Sequence, residues 1–203
     1  MKFYNSVGPN PKVVRMYMAE RGIEVPTVEV DLMKGENREA AHLARNPSGQ
    51  MPALELDDGS YVSEISVICE YLEEREGASS IFGTTPEERA ETRMWTRKID
   101  LNILEPLANG FRYSEGLPIF KDRVYTIPDA AAELKKLAQH HLKWLDGQMK
   151  GKQFVCGDRF SFADILLYCF LEFGNAVGQP LDPGNKNLAA WFDRVKERAS
   201  AAA

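Results

Sequence analysis

The spacing of hydrophobic and polar positions changes along the chain and divides it into two parts. In the first part, short runs of the strand type stand between runs with helical spacing. The strand-like runs cover 2–4, 27–32, 53–56 and 61–62, and the helical runs cover 13–21 and 63–75. Asp57-Asp58-Gly59 separates the last two strand-like runs, as expected for a hairpin. The order β-α-β, hairpin, α predicts an α/β domain.

The remainder of the chain has helical spacing throughout. Thr85-Pro86-Glu87-Glu88 combines a favoured N-cap, a proline for the first helical position and a capping-box glutamate. The first of these helices is long and is expected to bend at Pro106. We therefore predict three segments: an α/β domain over 1–78, a linker over 79–85 and an all-helical domain over 86–203.

Composition limits the function classes. The 203 residues are 44% hydrophobic, enough for a sizeable core. A net charge of −5, spread along the chain, argues against nucleic-acid binding, which requires a basic face. There is no apolar run of about 20 residues that could cross a membrane, and no signal-peptide core, so we expect a cytoplasmic protein. The three cysteines form no CxxC pair, so no cysteine-based metal site is indicated.

NPSGQMPAL at 46–54 with DDG at 57–59, SEISVICEYL at 63–72 and SFAD at 161–164 together resemble motifs of the glutathione transferases. NPSGQMPAL at 46–54, followed by DDG at 57–59, is similar to the family pattern N-P-x-G-x-V-P-x-L…D-x-G. SEISVICEYL at 63–72 is similar to E-S-x-A-I-x-x-Y-L, and SFAD at 161–164 is similar to a helical S-x-A-D capping box. The three occur in the family's order and spacing across nearly the whole chain, so the resemblance covers both predicted domains.

The resemblance implies a glutathione transferase fold: a thioredoxin-like N-terminal domain that binds glutathione and an all-helical C-terminal domain. In the family, an electrophile is held between the two, glutathione is the co-substrate, and no metal is needed. It further implies a homodimer and a role in detoxification, while the charge and the lack of a long apolar run argue against a nucleic-acid or membrane partner.

The same resemblance assigns the glutathione-binding residues. The proline at position 52 is cis in the family and turns the backbone of Met51 towards the ligand, where it can pair with the cysteinyl unit like an added strand. Glu64 matches the acid that contacts the γ-glutamyl ammonium. Gln50 matches a position that often contacts the glycyl end, although a plain surface glutamine is nearly as good an interpretation.

Ile65 departs from the family pattern, because serine or threonine usually stands there. The missing hydroxyl contact to the γ-glutamyl carboxylate is worth about 0.5–1.5 kcal/mol. The helix start still offers main-chain N–H groups to an anion. Ser66 is a poor replacement, because its side chain points about 100° further round the helix.

The group that activates the thiol is less clearly marked. The position of the theta-class serine falls on Gly8, which has no side chain. Asn10 stands at the position of the beta-class cysteine, and Pro9-Asn10 resembles the pair of nu-class bacterial members. An alternative for Asn10 is a plain N-cap with Pro11 at the first helical position. Asn10 ranks first as the catalytic residue, followed by Ser6 and Tyr4, and Tyr4 alone is better explained by packing.

The electrophile pocket is expected from the second domain, with Arg97, Phe111, Arg112 and Tyr113 as candidates. Asp164 is assigned to folding as a capping-box acid. The favoured function is attack of the glutathione thiolate on a small hydrophobic electrophile. Two alternatives remain: a non-catalytic glutathione-binding or protein-interaction module, and a glutathione-dependent peroxide or disulfide reductase.

Overall fold

A computed structural model describes all residues from Met1 to Ala203 and shows two compact units. The sheet unit comprises Met1–Ala78 together with Ala199–Ala203, and the helical unit comprises Ser79–Arg198.

These bounds differ from the sequence prediction at two places. Residues 79–85, expected as a linker, belong to the helical unit, because Phe82 stacks on Phe162 at 4.8 Å and Phe162 N donates to Ile81 O at 2.9 Å. The last five residues, expected with the helices, belong to the sheet unit, because the Ser200 hydroxyl donates to the Glu20 carboxylate.

The sheet unit contains a mixed four-stranded sheet, which confirms the predicted thioredoxin-like fold. Its strands are β1 (Lys2–Asn5), β2 (Thr27–Glu29), β3 (Ala53–Glu55) and β4 (Tyr61–Ser63), in the order β2-β1-β3-β4. β1 runs parallel to β2 and antiparallel to β3, and β3 runs antiparallel to β4. β1 and β4 therefore point the same way, with β3 reversed between them.

Three helices accompany the sheet: α1 (Pro9–Arg21), α2 (Ala40–Leu43) and α3 (Ile65–Glu76). α1 and α3 pack against each other, and the Tyr17 hydroxyl joins them by donating to Glu73 Oε2 at 2.7 Å. α1 ends at Gly22 in the left-handed region, as the sequence predicts for a C-terminal glycine.

The strand register brings three chain segments to one edge of the sheet. Tyr4 lies opposite Ala53, and Ala53 lies opposite Ser63. The end of β1, the beginning of β3 and the end of β4 are thus neighbours. Because α1 follows β1 and α3 follows β4, both helices begin at this same edge.

The helical unit confirms the all-α prediction and contains six α-helices. They are α4 (Pro86–Ile99), α5 (Glu105–Arg112), α6 (Leu117–Phe120), α7 (Ala131–Gln148), α8 (Phe162–Ala176) and α9 (Lys186–Lys196). None of the helices in the protein has both the length and the apolar character needed to cross a membrane.

The long helix expected from the sequence is two helices joined by a π-helical segment, Asp100–Leu104. Pro106 lies two residues after that segment, as the second residue of α5. A proline has no N–H for the helical ladder, and its ring crowds the carbonyl of the preceding turn. The wider π turn is a known way to accommodate such a defect, so the irregularity lies just before the proline.

Candidate functional site

The turn from β1 into α1 supplies the first part of the candidate site. Gly8 is the residue before the helix, with φ 109° and ψ 171°. A Cβ added there would meet no atom within 4 Å, so the backbone conformation, and not lack of space, requires glycine. The helix begins at Pro9. The interpretation of Asn10 as an N-cap with Pro11 at the first helical position is therefore wrong.

Asn10 is the second residue of α1 and is half-buried. Its side chain has no hydrogen-bond partner within the protein. Pro9 and Pro11 carry no N–H, so Asn10 supplies the only amide hydrogen among the first three helical residues. Its main-chain N–H and side-chain NH₂ are thus both available as donors at the positive end of the helix.

Ser6, the second candidate for thiol activation, is already engaged within the protein. It is 3% exposed, and its hydroxyl donates to the carbonyl of Val30 at 2.6 Å. This bond ties the turn after β1 to the residue that follows β2. The Ser6 side chain therefore has a structural role here.

Tyr4, the third candidate, is similarly engaged. Its hydroxyl donates to Glu55 Oε2 at 2.7 Å, and the Arg45 guanidinium carbon lies 4.4 Å from the ring centroid. Burial, followed by the hydrogen bond to Glu55, raises the pKa of Tyr4 to about 12. With its proton committed to Glu55, Tyr4 fits the packing role that the sequence favoured.

A polar network that the sequence did not indicate holds this turn. Asn5 donates to Glu29 Oε1 at 2.6 Å and accepts from Arg15 Nη1 at 2.7 Å. The same Arg15 nitrogen lies 3.3 Å from the carbonyl of Ser6. These contacts join side chains far apart in sequence, so no local pattern could reveal them.

Met51 supplies the second part of the candidate site. The peptide bond between Met51 and Pro52 is cis. The Met51 side chain is buried with Tyr4, Val30 and Ala53. Its main-chain N–H and C=O have no partner in the protein, although they continue the line of β3. They offer the hydrogen-bonding groups of an unpaired strand at the same sheet edge.

Gln50, which precedes Met51, has an exposed side chain, but its carbonyl accepts from His42 Nε2 and Asn46 Nδ2, each at 3.0 Å. Neither donor was a sequence candidate. His42 is 1% exposed, so it is a buried residue and not a solvated one.

The start of α3 supplies the third part. Glu64 precedes the helix and is the only non-glycine residue with a positive φ, 69°. Such a conformation costs on the order of 1–3 kcal/mol and is concentrated at functional sites. The exposed Glu64 side chain does not cap the helix. Ile65 and Ser66 occupy the first turn, half-buried, and their main-chain N–H groups are open.

Comparison with known proteins supplies the identification. A family model for the glutathione S-transferase N-terminal domain matches residues 7–75, and one for the C-terminal domain matches 116–199. A glutathione S-transferase 2 of Saccharomyces cerevisiae is 31% identical over 195 residues, which span 95% of this chain and 84% of that protein. The chain belongs to the glutathione S-transferase family.

Two further similarities extend over nearly the whole of this transferase. The crystal structure of Gtt2 from Saccharomyces cerevisiae has a TM-score of 0.92 at 31% identity, covering 100% of this chain and 99% of that one. A maleylacetoacetate isomerase of Pseudomonas aeruginosa is 38% identical over 193 residues, which span 94% of this chain and 84% of that protein. The family membership and fold inferred from the three sequence motifs are thus confirmed.

Three of the four electrophile candidates of this transferase lie at the end of α5. Phe111 is half-buried, with its ring edge-on to Phe173 at 5.1 Å and to Phe120 at 6.2 Å. Arg112 donates to Asn109 Oδ1 at 2.9 Å. Tyr113 is half-buried and ends α5. These three form one continuous stretch.

Arg97 lies apart from that stretch, on the exposed side of α4. Its only ion pair is with Asp100, at 3.8 Å, and its side chain is 70% exposed. It is the weakest of the four as a pocket residue.

Asp164 has the folding role that the sequence assigned to it. Its carboxylate is fully buried and accepts four hydrogen bonds, from Val155 N, Ser161 N, Ser161 Oγ and Trp191 Nε1. Burial raises the pKa of this carboxyl, while the donated bonds act against the rise. All its contacts lie within the helical unit.

Proposed function

We propose that this transferase binds glutathione at the sheet edge formed by the β1–α1 turn, Met51 and the start of α3. It would activate the thiol through Asn10 for attack on a small hydrophobic electrophile. The observation that carries the proposal is the convergence of open main-chain groups: the unpaired Met51 and two helix starts without side-chain caps.

These groups match the chemistry of an anionic tripeptide. The N–H and C=O of Met51 would pair with the cysteinyl unit as an added strand. The N–H groups at the start of α3 would receive the γ-glutamyl carboxylate, since helix starts favour anions. The Glu64 carboxylate would pair with the γ-glutamyl ammonium, and the exposed Gln50 side chain would reach the glycyl end.

Asn10 is the proposed thiol activator because it alone of the three candidates has free donors. A free thiol has a pKa of about 8.5. Lowering it by about two units requires roughly 2.7 kcal/mol of preferential stabilisation of the thiolate. A hydrogen bond to a charged group gives about 1.5–3 kcal/mol, and a helix start about 0.3–1. The Asn10 amide at the start of α1 can therefore supply the shift.

In the proposed reaction, the thiolate sulfur forms a bond to an electrophilic carbon. A leaving group departs with the bonding electrons in a substitution, or a proton completes an addition. The helical unit would hold the electrophile through the apolar and aromatic surface around Phe111 and Tyr113, with Arg112 beside it. Arg97 is a further candidate for contact with the electrophile, and it rests on the sequence alone.

The family resemblance also supports a homodimer that acts in the cytoplasm in detoxification. Met94 and Leu101 are large apolar side chains that remain 44% and 47% exposed. A second copy of the chain would remove them from water. Their substitution by serine should then lower the molar mass measured by light scattering from dimer to monomer.

Ile65 favours a second candidate, a non-catalytic glutathione-binding or protein-interaction module. No hydroxyl stands there to contact the γ-glutamyl carboxylate, and Gly8 supplies no side chain to the thiol. Binding of glutathione without any acceleration of its conjugation would support this candidate.

The test combines calorimetric titration of the protein with glutathione and conjugation assays with a panel of aryl halides, epoxides and activated alkenes. The proposal expects glutathione binding and conjugation above the uncatalysed rate for at least one class. Turnover equal to the uncatalysed rate across the panel would contradict the enzymatic proposal. Absence of glutathione binding would contradict the proposed site.

A further inference from the structure

The peptide group between Gln50 and Met51 has one end held inside the protein and the other end open. Its carbonyl oxygen accepts from His42 Nε2 and Asn46 Nδ2, each at 3.0 Å. This peptide bond is trans, since the only cis bond lies one residue later. In a trans peptide group, C=O and N–H point in opposite directions. Holding the Gln50 oxygen inward therefore directs the Met51 N–H away from the loop.

The donor role of His42 follows from its partner. A carbonyl oxygen only accepts, so His42 Nε2 must carry a hydrogen. His42 Nδ1 is buried without a partner. The carbonyl thus fixes a hydrogen on Nε2, and Nε2 is the only ring nitrogen that forms a hydrogen bond.

The fold holds both donors firmly. His42 lies in the short helix α2, and its own carbonyl accepts from Arg45 N and Asn46 N, each at 2.9 Å. Asn46 is 3% exposed, and its Oδ1 accepts from the Ser48 hydroxyl at 2.8 Å. That contact orients the Asn46 amide so that its NH₂ group points to Gln50.

We propose that His42 and Asn46 are positioning residues for glutathione, acting through the Gln50–Met51 peptide group. They fix the direction of the Met51 N–H, the donor that pairs with the cysteinyl unit. Two hydrogen bonds to the carbonyl also polarise the same peptide group and strengthen its N–H as a donor. The inference rests on the proposed glutathione site, and it extends that site to two buried side chains that never touch the ligand.

Three variants separate this role from a general effect on folding. His42→Phe keeps a buried ring and removes the donor. His42→Gln retains an N–H donor and serves as the conservative rescue. Asn46→Asp keeps the acceptor for Ser48 and removes the NH₂ group. His140→Phe, at an exposed position of α7, is the matched control.

The measurements are the dissociation constant for glutathione, the pKa of the bound thiol, kcat at saturating glutathione, and the melting temperature. His42→Phe and Asn46→Asp should each weaken binding about fivefold to tenfold, the effect of one lost hydrogen bond. The thiol pKa and kcat should stay at wild-type values, because Asn10 is untouched. His42→Gln should recover most of the affinity, and His140→Phe should match the wild type.

Several outcomes would overturn the inference. One is a His42→Phe variant that folds and has a dissociation constant for glutathione within about twofold of the wild-type value. Another is a fall in melting temperature with unchanged affinity, which would indicate a purely structural role. If His42→Phe does not fold, His42→Gln and Asn46→Asp carry the test, and wild-type affinity in Asn46→Asp overturns the inference. If the wild type itself binds no glutathione, the proposed function fails, and this inference fails with it.

Discussion

The starts of α1 and α8 differ in whether side chains accept hydrogen bonds from the main-chain N–H groups there. The first turn of any helix leaves main-chain N–H groups without helical partners. At α8, the buried Asp164 carboxylate accepts from the main-chain N–H of the N-cap residue Ser161 at 2.9 Å, and it also accepts from Val155 N and Trp191 Nε1. At α1, Gly8 provides no cap, and the Asn10 amide remains open. The closed start stabilises the fold, and the open start is free to bind.

The starts of α4 and α3 differ in the same way, one with a side-chain cap and the other without. Thr85 Oγ1 accepts from Glu88 N at 3.2 Å, while Glu88 Oε2 accepts from Thr85 N at 3.4 Å, which confirms the predicted capping box. Glu64, by contrast, precedes α3 with a positive φ and leaves that helix uncapped. Both closed starts belong to the helical unit, and both open starts meet at one edge of the sheet.

The largest expected effect on the free energy of unfolding comes from removing the carboxylate at the start of α8. Asp164→Ala leaves several buried donors without a partner, each costing about 1–3 kcal/mol. We expect a loss of at least about 3 kcal/mol in the free energy of unfolding, measured by urea denaturation. If Asp164→Ala folds, it should keep wild-type affinity for glutathione. A loss below about 1 kcal/mol would contradict the structural role of Asp164.

Gly8→Ala tests the open start of α1. No atom lies near the added Cβ, so the cost arises from the positive φ alone, about 1–3 kcal/mol in the free energy of unfolding. Gly147→Ala is a control in the helical unit, where a Cβ also meets nothing but the backbone is helical. There, alanine should stabilise by about 0.5–1 kcal/mol. Equal effects at the two glycines would contradict the assigned backbone strain.

Ile65→Ser tests the open start of α3. It restores the hydroxyl of the family pattern and should strengthen glutathione binding by about 0.5–1.5 kcal/mol, up to roughly tenfold. The comparison variant Ile65→Ala loses the same apolar surface without adding a donor, so it separates the hydroxyl from the change in packing. Serine and alanine variants of equal affinity would show that the γ-glutamyl carboxylate does not lie at this position.

The smallest expected effect is on the pH dependence of stability, through the Glu88 carboxylate of the α4 capping box. Hydrogen bonds from the backbone and side chain of Thr84 lower the pKa of Glu88 below its ordinary value. A carboxylate with a lowered pKa in the folded state stabilises above its unfolded pKa, about 4.3, and this contribution is lost as the pH falls through the folded value. Wild type should therefore lose more stability than Glu88→Gln between about pH 6 and pH 3. Parallel curves would contradict the assignment.

Sequence alone predicted the elements that depend on local patterns. The capping boxes at Thr85 and Ser161 follow from short motifs, and the sheet followed by helices follows from hydrophobic spacing. The motif around Met51 also marked the segment that the structure leaves unpaired at the sheet edge. Each of these features depends on residues that are close together in the sequence.

The parts that could not be predicted depend on contacts between distant segments. Asn10, Ser6 and Tyr4 were all open as thiol activators, because sequence does not show which polar groups are already engaged. The structure separates them: the hydroxyls of Ser6 and Tyr4 donate to Val30 and Glu55. His42 gave no signal, since its role depends on a main-chain carbonyl eight residues away.

The central claim is that the open amide at the start of α1 activates the bound thiol. The most direct test is the pKa of glutathione bound to wild type, Asn10→Ala and Asn10→Asp, followed by thiolate absorbance during a pH titration. Asp has the shape of Asn and suits a helix start, but it brings a negative charge and no NH₂ donor. We predict a lowered thiol pKa in wild type, a pKa about one to two units higher in Asn10→Ala, and the highest value in Asn10→Asp. A wild-type thiol pKa that both variants retain would contradict the claim.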